Sequence, residues 1–494
     1  MTSQRAVLFA AVSGLVLGCA YPPVGLGFLA YVSLVPMLYV VKFLPSKRVW
    51  MLAFFSGLLF HIFTVAWLRN ITWIGAALAI VTLAAIYALS FVVARWAYEI
   101  SPRYGLFCFP FAVAGIEWAR SFDLLAFPWV ILGNSQAYYI YLVQFADITS
   151  VFGVSWWVVM VNVMVFMLLV RRSVSRVIFL VLLFLVPFGY SMMVIRSGDS
   201  PEKTLNVALI QGNVLPDDKW EAGSEEWNLN LYRTMSIEAM AQCPDLIVWP
   251  ETAIPVYLNT NHWFRYMVQS FVDSIGVPLL TGMPANDYGT GKKWNSAGFF
   301  QPGEDNIQQY NKLHLVPFGE AIPLDDYFPR LRNLELGQAN WDKGTDIVVF
   351  KSPVIPPFNV AICFESIFPD LIRKFVRRGA EFITVVTNDV WFGPQSSPIQ
   401  HAMIAVFRAI EFHRPVVRCA NTGISMLIDS YGRVIVQSGA FERTIVTGSI
   451  HPDSGTTLYL RYGNIFSMFC LGITVMIPVA FMYLKFRARR GGNA

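Results

Sequence analysis

Charge is what this chain has least of. Only 14% of its 494 residues are Asp, Glu, Lys or Arg, against about 25% in an ordinary soluble protein, and 55% are hydrophobic. That deficit excludes a chain solvated over its whole length. Histidine and cysteine are also sparse, six of each. The cysteines, Cys19, Cys108, Cys243, Cys363, Cys419 and Cys470, are too few and too scattered for a disulfide framework, and no zinc-ligand spacing occurs. No basic stripe interleaved with aromatics is present, so the net charge of +5 gives no reason to expect nucleic acid as a partner. No internal repeat of 20–50 residues is visible either.

What is present is unevenly distributed. The apolar excess sits in residues 6–196 and 464–484. Between Gly198 and Tyr462 there are 21 basic and 28 acidic residues; the remainder holds 16 basic and 4 acidic. A bilayer core takes about 20 apolar residues as a helix. Eight such spans are expected, near 6–22, 24–42, 50–68, 72–97, 105–121, 153–170, 176–196 and 464–484. Span five carries Glu117, either an interfacial carboxylate beside Arg120 or a functional one facing the bundle interior. One set of flanks holds 13 positive charges, from Arg5 through Lys42, Arg95 and Arg171 to Arg490; the other short loops hold only Arg69 and Arg120. The positive-inside rule then puts both termini in the cytoplasm and the 198–462 segment outside it. "VLGCA" at 16–20 has the look of a lipoprotein cleavage box, but the apolar run resumes after "YPPVG", so a first membrane helix is the better reading.

The segment 198–462 alternates short β-branched runs with helical stretches. "LNVALIQGN", "DLIVWPE", "VPLLTGM", "NSAGFF", "FNVAICFE", "EFITVVTND", "VVRCANTG" and "ISMLID" read as strands, several of them apolar on both faces. "SEEWNLNLYRTMSIEAMAQ" and "HAMIAVFRAIEFHR" read as helices, giving a layered α/β domain of about 250 residues. Reactive groups stand at three strand ends: Glu251, Lys312 with Glu320, and Cys363. An ordinary thiol has a pKa of about 8.5, and the thiolate is the nucleophile. None of the six histidines has a cysteine-protease context, but a partly buried carboxylate can take the proton instead. A nearby ammonium would favour the thiolate and stabilise an oxyanion. The three residues are 61 and 51 positions apart, and spacing alone makes no motif; surface charges and a core thiol fit them equally. Cys243 and Cys419 read as core thiols, His314 as structural, and Asn388 and Asp389 as turn formers or site residues.

Taken together and in order, "WPETAIP", "NKLHLVPFGE", "ICFES" and "TNDVWFG" resemble the nitrilase superfamily. With seven spans before the domain, one after it, and the segments "EWARSFDLLAFPW" and "LIQGNVLPDDKW", the chain is most similar to the membrane-embedded branch, the apolipoprotein N-acyltransferase family. The resemblance implies a polytopic α-helical membrane domain with eight transmembrane helices and an extracytoplasmic nitrilase-like α-β-β-α sandwich. The corresponding segments are 1–197, 198–462 and 463–494. It implies Glu251 as general base, Lys312 as oxyanion-stabilising lysine and Cys363 as nucleophile. Glu320 would position the lysine, Glu365 would be a second supporting acid, and Trp220 and Trp391 would be aromatics around the substrate. Phe364 stands where the family often has tyrosine, so no role is expected of that hydroxyl. The implied reaction moves an acyl chain from a phospholipid, through a thioester, to the amino group of a diacylglyceryl-modified apolipoprotein, in the inner membrane with the catalytic domain periplasmic. It needs no cofactor, nucleotide or metal. Apolar loops, "YLNTNHWFRYMV" and "VWFGPQSSPIQ" with Trp263, Phe264, Trp391 and Phe392, would open the site toward lipid, or simply pack at an interface. Two rivals stay open: a membrane-tethered amidase with water as acceptor, and a transporter with an extracytoplasmic binding domain.

Overall fold

The computed structural model describes residues 1–122, 126–198, 203–219, 221, 223–322, 340–393 and 396–491. The chain separates into two compact units. One comprises Met1–Arg69, Trp73–Ser197 and Tyr462–Ala494; the other comprises Asn70–Thr72 and Gly198–Arg461.

The first unit is helical. Five helices are long and apolar enough to cross a membrane: Ser46–Asn70, Trp73–Ile100, Ala146–Val170, Val174–Ser197 and Ile465–Ala488. Three expected spans, 6–22, 24–42 and 105–121, instead fall on the shorter apolar helices Ser3–Cys19, Gly27–Phe43 and Gly105–Ala119. At 10–17 residues these helices lie at or below the short end of the range that crosses a bilayer core. In the second and third, a proline marks a break between shorter helical pieces. Pro36 lies in the first turn of Val35–Phe43, and Pro110 opens Phe109–Ala119 after a 3₁₀ turn. Five spans therefore stand on length and composition.

Polar side chains in this unit are spent on backbone. Glu117 Oε1 accepts the Leu132 N–H at 2.8 Å, and Arg120 donates to the Val130 carbonyl at 2.8 Å. They satisfy a non-helical stretch where apolar surroundings offer no water. Asn162 does the same for the helix break near residue 34, accepting from Leu34 N–H at 2.9 Å and donating to Ala30 O at 2.7 Å.

The second unit is a sandwich of two sheets between helices. One sheet contains β1 (Leu205–Gln211), β2 (Leu246–Trp249), β3 (Leu279–Asn286), β4 (Lys293–Phe300), β5 (Gln308–Asn311) and β11 (Thr444–Ile450), in the order β11-β1-β2-β3-β4-β5. The other contains β6 (Phe358–Ile362), β7 (Phe382–Thr387), β8 (Val416–Ala420), β9 (Met426–Ile428) and β10 (Val434–Gln437), in the order β10-β9-β8-β7-β6. The centres are parallel, β1-β2-β3 and β6-β7-β8. Strands β2, β6, β7 and β8 are buried at every residue, as strands covered on both faces are, although Asn359 interrupts β6 and Arg418 interrupts β8. Between the sheets, Phe299 meets Phe358 edge-on at 5.1 Å, and the Cys419 thiol lies 3.2 Å from the Val248 carbonyl. Helices Ser224–Ala239 and His262–Ile275 cover the first sheet through Leu229, Tyr232, Val268 and Phe271, which share a core with Ile247 and Trp249. Helices Pro369–Arg377 and Ser397–Phe412 cover the second sheet. The layers are α-β-β-α.

Two expectations fail here. "YLNTNHWFRYMV" is not an apolar loop: Asn261 caps a helix by accepting from the Phe264 N–H at 3.2 Å, Phe264 packs on the core, and Trp263 is exposed. Cys243 is not a core thiol but an exposed residue in the left-handed turn after residues 240–242.

A close backbone approach sets where Glu251 stands. A side chain at Gly282 in β3 would place its Cβ 2.5 Å from Glu251 Cα, and Gly282 exchanges backbone hydrogen bonds with Pro250 and Ala253. Only glycine lets β3 clamp the turn after β2. Gly282→Ala is expected to cost about 1–3 kcal/mol in denaturant unfolding of the purified protein; an unchanged midpoint would show that the clamp is slack.

Candidate active site

Each reactive residue starts where a strand stops. Glu251 follows β2 after Pro250, Lys312 follows β5, and Cys363 follows β6 at the start of a 3₁₀ turn, Cys363–Ile367. Cys363 has φ +50°, a left-handed conformation that costs a non-glycine residue about 1–2 kcal/mol. The turn is held by Glu365, whose Oε2 accepts the Ile362 N–H at 2.8 Å. Its Oε1 accepts from Tyr310 Oη at 2.7 Å, Leu313 N–H at 2.6 Å and His314 N–H at 3.1 Å. Glu365 thus ties the cysteine turn to the segment that carries Lys312.

The structure brings Glu251, Lys312, Glu320, Cys363 and Glu365 together. Lys312 is fully buried; its Nζ lies 2.8 Å from each oxygen of Glu320 and 3.8 Å from Glu251 Oε1. Asn295, in β4, donates to Glu251 Oε1 at 2.7 Å and to Glu320 Oε1 at 2.9 Å. The Asn388 N–H donates to Glu251 Oε2 at 2.8 Å, and the Val316 N–H to Glu320 Oε2 at 2.8 Å. Phe364 is buried and packs edge-on against Phe368 at 5.1 Å. His314 stacks on Phe368, and burial lowers its pKa to about 4, leaving it neutral. Trp220 lies outside the described residues. For Trp391 the backbone alone is described, in the 3₁₀ turn Asp389–Phe392.

Burial lifts the Glu251 carboxyl above its ordinary range, with Lys312 pulling back. Burial pulls Lys312 down, but Glu320, Glu251 and Cys363 outweigh it and hold the ammonium charged. Burial and the charge of Glu251 push the Cys363 thiol well above an ordinary cysteine, with Lys312 opposing. The ammonium favours the thiolate, as the sequence suggests, but burial and Glu251 act more strongly the other way and raise the thiol.

Sequence reasoning missed several groups. Asn295 sits in a run read only as strand. Lys219 is buried, its ammonium has no hydrogen-bond partner among the described residues, and burial lowers its pKa to about 8 against the pull of Glu251. Ligand atoms of Cys363, Asp389 and His401 fall within 4.8 Å of one another. However, His401 Nδ1 and Asp389 Oδ1 are bonded to each other at 2.9 Å, and Arg418 lies 2.7 Å from Asp389 Oδ2 and 3.1 Å from His401 Nδ1. The cation in that cluster is a guanidinium, which leaves no donor set for a metal. The signal was an arginine inside an otherwise apolar strand, "VVRCA".

Comparison with known proteins agrees with this layout. Residues 206–458 match the family model described as carbon-nitrogen hydrolase, and residues 13–164 match the apolipoprotein N-acyltransferase N-terminal domain. An apolipoprotein N-acyltransferase of Geobacter metallireducens is 32% identical, covering 97% of this chain and 96% of the relative. One from Chlorobaculum tepidum is 34% identical, covering 94% and 95%. A solved amidase from Nesterenkonia sp. AN1 covers 52% of this chain and 93% of its own, at 17% identity and a TM-score of 0.41.

A raised thiol pKa has a direct readout. Iodoacetamide labelling of Cys363, followed by peptide mass mapping, should keep rising beyond about pH 8.5, the ordinary thiol value. A plateau at or below pH 8 would show a thiolate already formed at rest.

Proposed function

The chain belongs to the apolipoprotein N-acyltransferase family, and from that premise we propose that it carries an acyl chain from a phospholipid to the α-amino group of a diacylglyceryl-cysteine lipoprotein by way of Cys363. The observation that carries this reading is the buried cluster of Glu251, Lys312 and Glu320 coupled to the Cys363 thiol.

In the first half-reaction the sulfur attacks the ester carbonyl of the donor while Glu251 takes the thiol proton. The S–C bond forms, and the carbonyl electron pair moves to oxygen, where Lys312 and backbone N–H groups next to Cys363 stabilise it. As that oxyanion collapses, the ester C–O bond breaks. Glu251 returns its proton to the leaving alkoxide, and a lysophospholipid departs. In the second half-reaction the acceptor amine attacks the thioester carbonyl. Glu251 removes a proton from nitrogen, the C–S bond breaks, and the sulfur recovers its proton from Glu251, leaving an amide. The carboxylate alternates between base and acid, and this favours the raised pKa that burial gives it. Glu320 and Asn295 keep Lys312 and Glu251 in register throughout, and Glu365 holds the cysteine turn.

Two lipid-anchored substrates explain a catalytic domain joined to apolar helices. We take 1–197 as a seven-span membrane domain, 198–462 as the periplasmic catalytic domain, and 463–494 as an eighth span with its tail. Both termini are then cytoplasmic, which is the orientation that the positive flanks favour. Trp220 and Trp391 are proposed to line the substrate path.

Purified protein mixed with phospholipid and a synthetic diacylated lipopeptide should give N-acylated lipopeptide, and Cys363→Ala should abolish it. Hydrolysis of small amides without any such transfer would instead establish an amidase.

A further inference from the structure

The backbone carbonyl of Cys363 is gripped from behind. His401, on helix Ser397–Phe412, places Nε2 3.1 Å from that oxygen, and Ser366 donates its hydroxyl to the same oxygen at 2.8 Å. The two side chains also touch each other, at 2.9 Å. His401 is held in turn by Asp389 at the end of β7 and by Arg418 in β8, at 2.9 Å and 3.1 Å. Arg418 clamps the other oxygen of Asp389 at 2.7 Å. Thr387 donates to Asp389 Oδ1 at 2.8 Å. Every member of this network is buried. Three elements of the second sheet and its covering helix therefore converge on one peptide unit.

A trans peptide is planar, and its C=O and N–H point in opposite directions. Fixing the Cys363 carbonyl toward His401 fixes the Phe364 N–H away from it. We propose that His401 is a positioning residue: through the Cys363 carbonyl it aims the Phe364 N–H at the oxyanion formed on the acyl carbonyl. The inference rests on the acyl-transfer reading above and deepens it. It also gives a reason for the left-handed Cys363. A strained residue persists only where its surroundings over-determine it, and here the carbonyl and the following turn are each held separately. A neutral imidazole carries one N–H; with it on Nε2 toward the Cys363 carbonyl, Nδ1 accepts the Arg418 N–H at 3.1 Å, and Asp389 acts one step further back by anchoring that guanidinium at 2.7 Å. Arg418 balances its charge, so the buried cluster is complete without Cys363 being ionised.

The test separates aiming of the oxyanion donor from general damage. A long-chain fatty aldehyde adds to Cys363 as a thiohemiacetal: the S–C bond forms, and the thiol proton passes to the carbonyl oxygen where the oxyanion develops. Iodoacetamide alkylation forms an S–C bond with loss of iodide and develops no oxyanion. In His401→Ala, aldehyde affinity and the rate of acyl transfer should fall together by about 100-fold, the usual effect of losing an oxyanion donor, while alkylation of Cys363 at pH 9 changes by less than about threefold. His401→Gln, whose amide can still donate to the carbonyl, should recover at least about tenfold of the loss. If the alanine variant does not fold, the glutamine variant and Ser366→Ala carry the comparison. Equal losses in alkylation and aldehyde binding, or no loss in either, would overturn the proposal. Wild-type protein that forms no aldehyde adduct and transfers no acyl chain would sink the acyl-transfer reading itself, and the inference with it.

Discussion

A single ammonium with no access to water organises the catalytic unit. Lys312 is wholly buried, a position a cation occupies only when anions are brought to it. Glu320 embraces it at 2.8 Å and Glu251 faces it at 3.8 Å. The two carboxylates stand differently. Glu320 uses both oxygens on the lysine and is held by its own turn, whereas Glu251 stands farther off and is balanced by Asn295 and the Asn388 N–H. The nearer anion fixes the cation, and burial lifts the farther one above the ordinary carboxylate range. Without the lysine, two carboxyl groups and a thiol in one dry space would repel one another, and the carboxyl groups would protonate.

Much of this was legible in the sequence because strands announce themselves. Glu251 and Cys363 follow the buried strands in "DLIVWPE" and "FNVAICFES", and Lys312 follows the short polar strand "QQYN", so all three stand at strand ends, where side chains of different strands meet. Glu365 was legible through its place two residues beyond the thiol. The supporting layer was hidden for a physical reason. Asn295, His401 and Arg418 come from within a strand or helix and act through hydrogen bonds to groups 12 to 44 residues away, which no local pattern records. The aromatic stretch after Asn261 reads as a loop by composition, but the asparagine side chain caps a helix there. Two spans, 24–42 and 105–121, look longer in sequence than they are as helices, since hydropathy runs through the prolines at their breaks.

The two units spend their polar groups in the same manner. In the helical unit Glu117, Arg120 and Asn162 satisfy backbone groups at helix breaks. In the α/β unit Glu365 and His401 satisfy, or grip, the backbone around the nucleophile. In both, a buried side chain stands in for water, and irregular backbone is tolerated only where such a partner is supplied. At Cys363 the backbone being held belongs to the residue proposed to attack the acyl carbonyl.

The central claim is that this sulfur becomes the temporary carrier of an acyl chain. Intact-mass spectrometry of the purified protein, mixed with phospholipid in the absence of any acceptor, tests it most directly. The account expects one acyl chain's added mass, mapped to Cys363 and discharged when a diacylated lipopeptide is added. Acylated lipopeptide formed by a Cys363→Ala variant, or an acyl chain found on another residue and passed on from there, would contradict it.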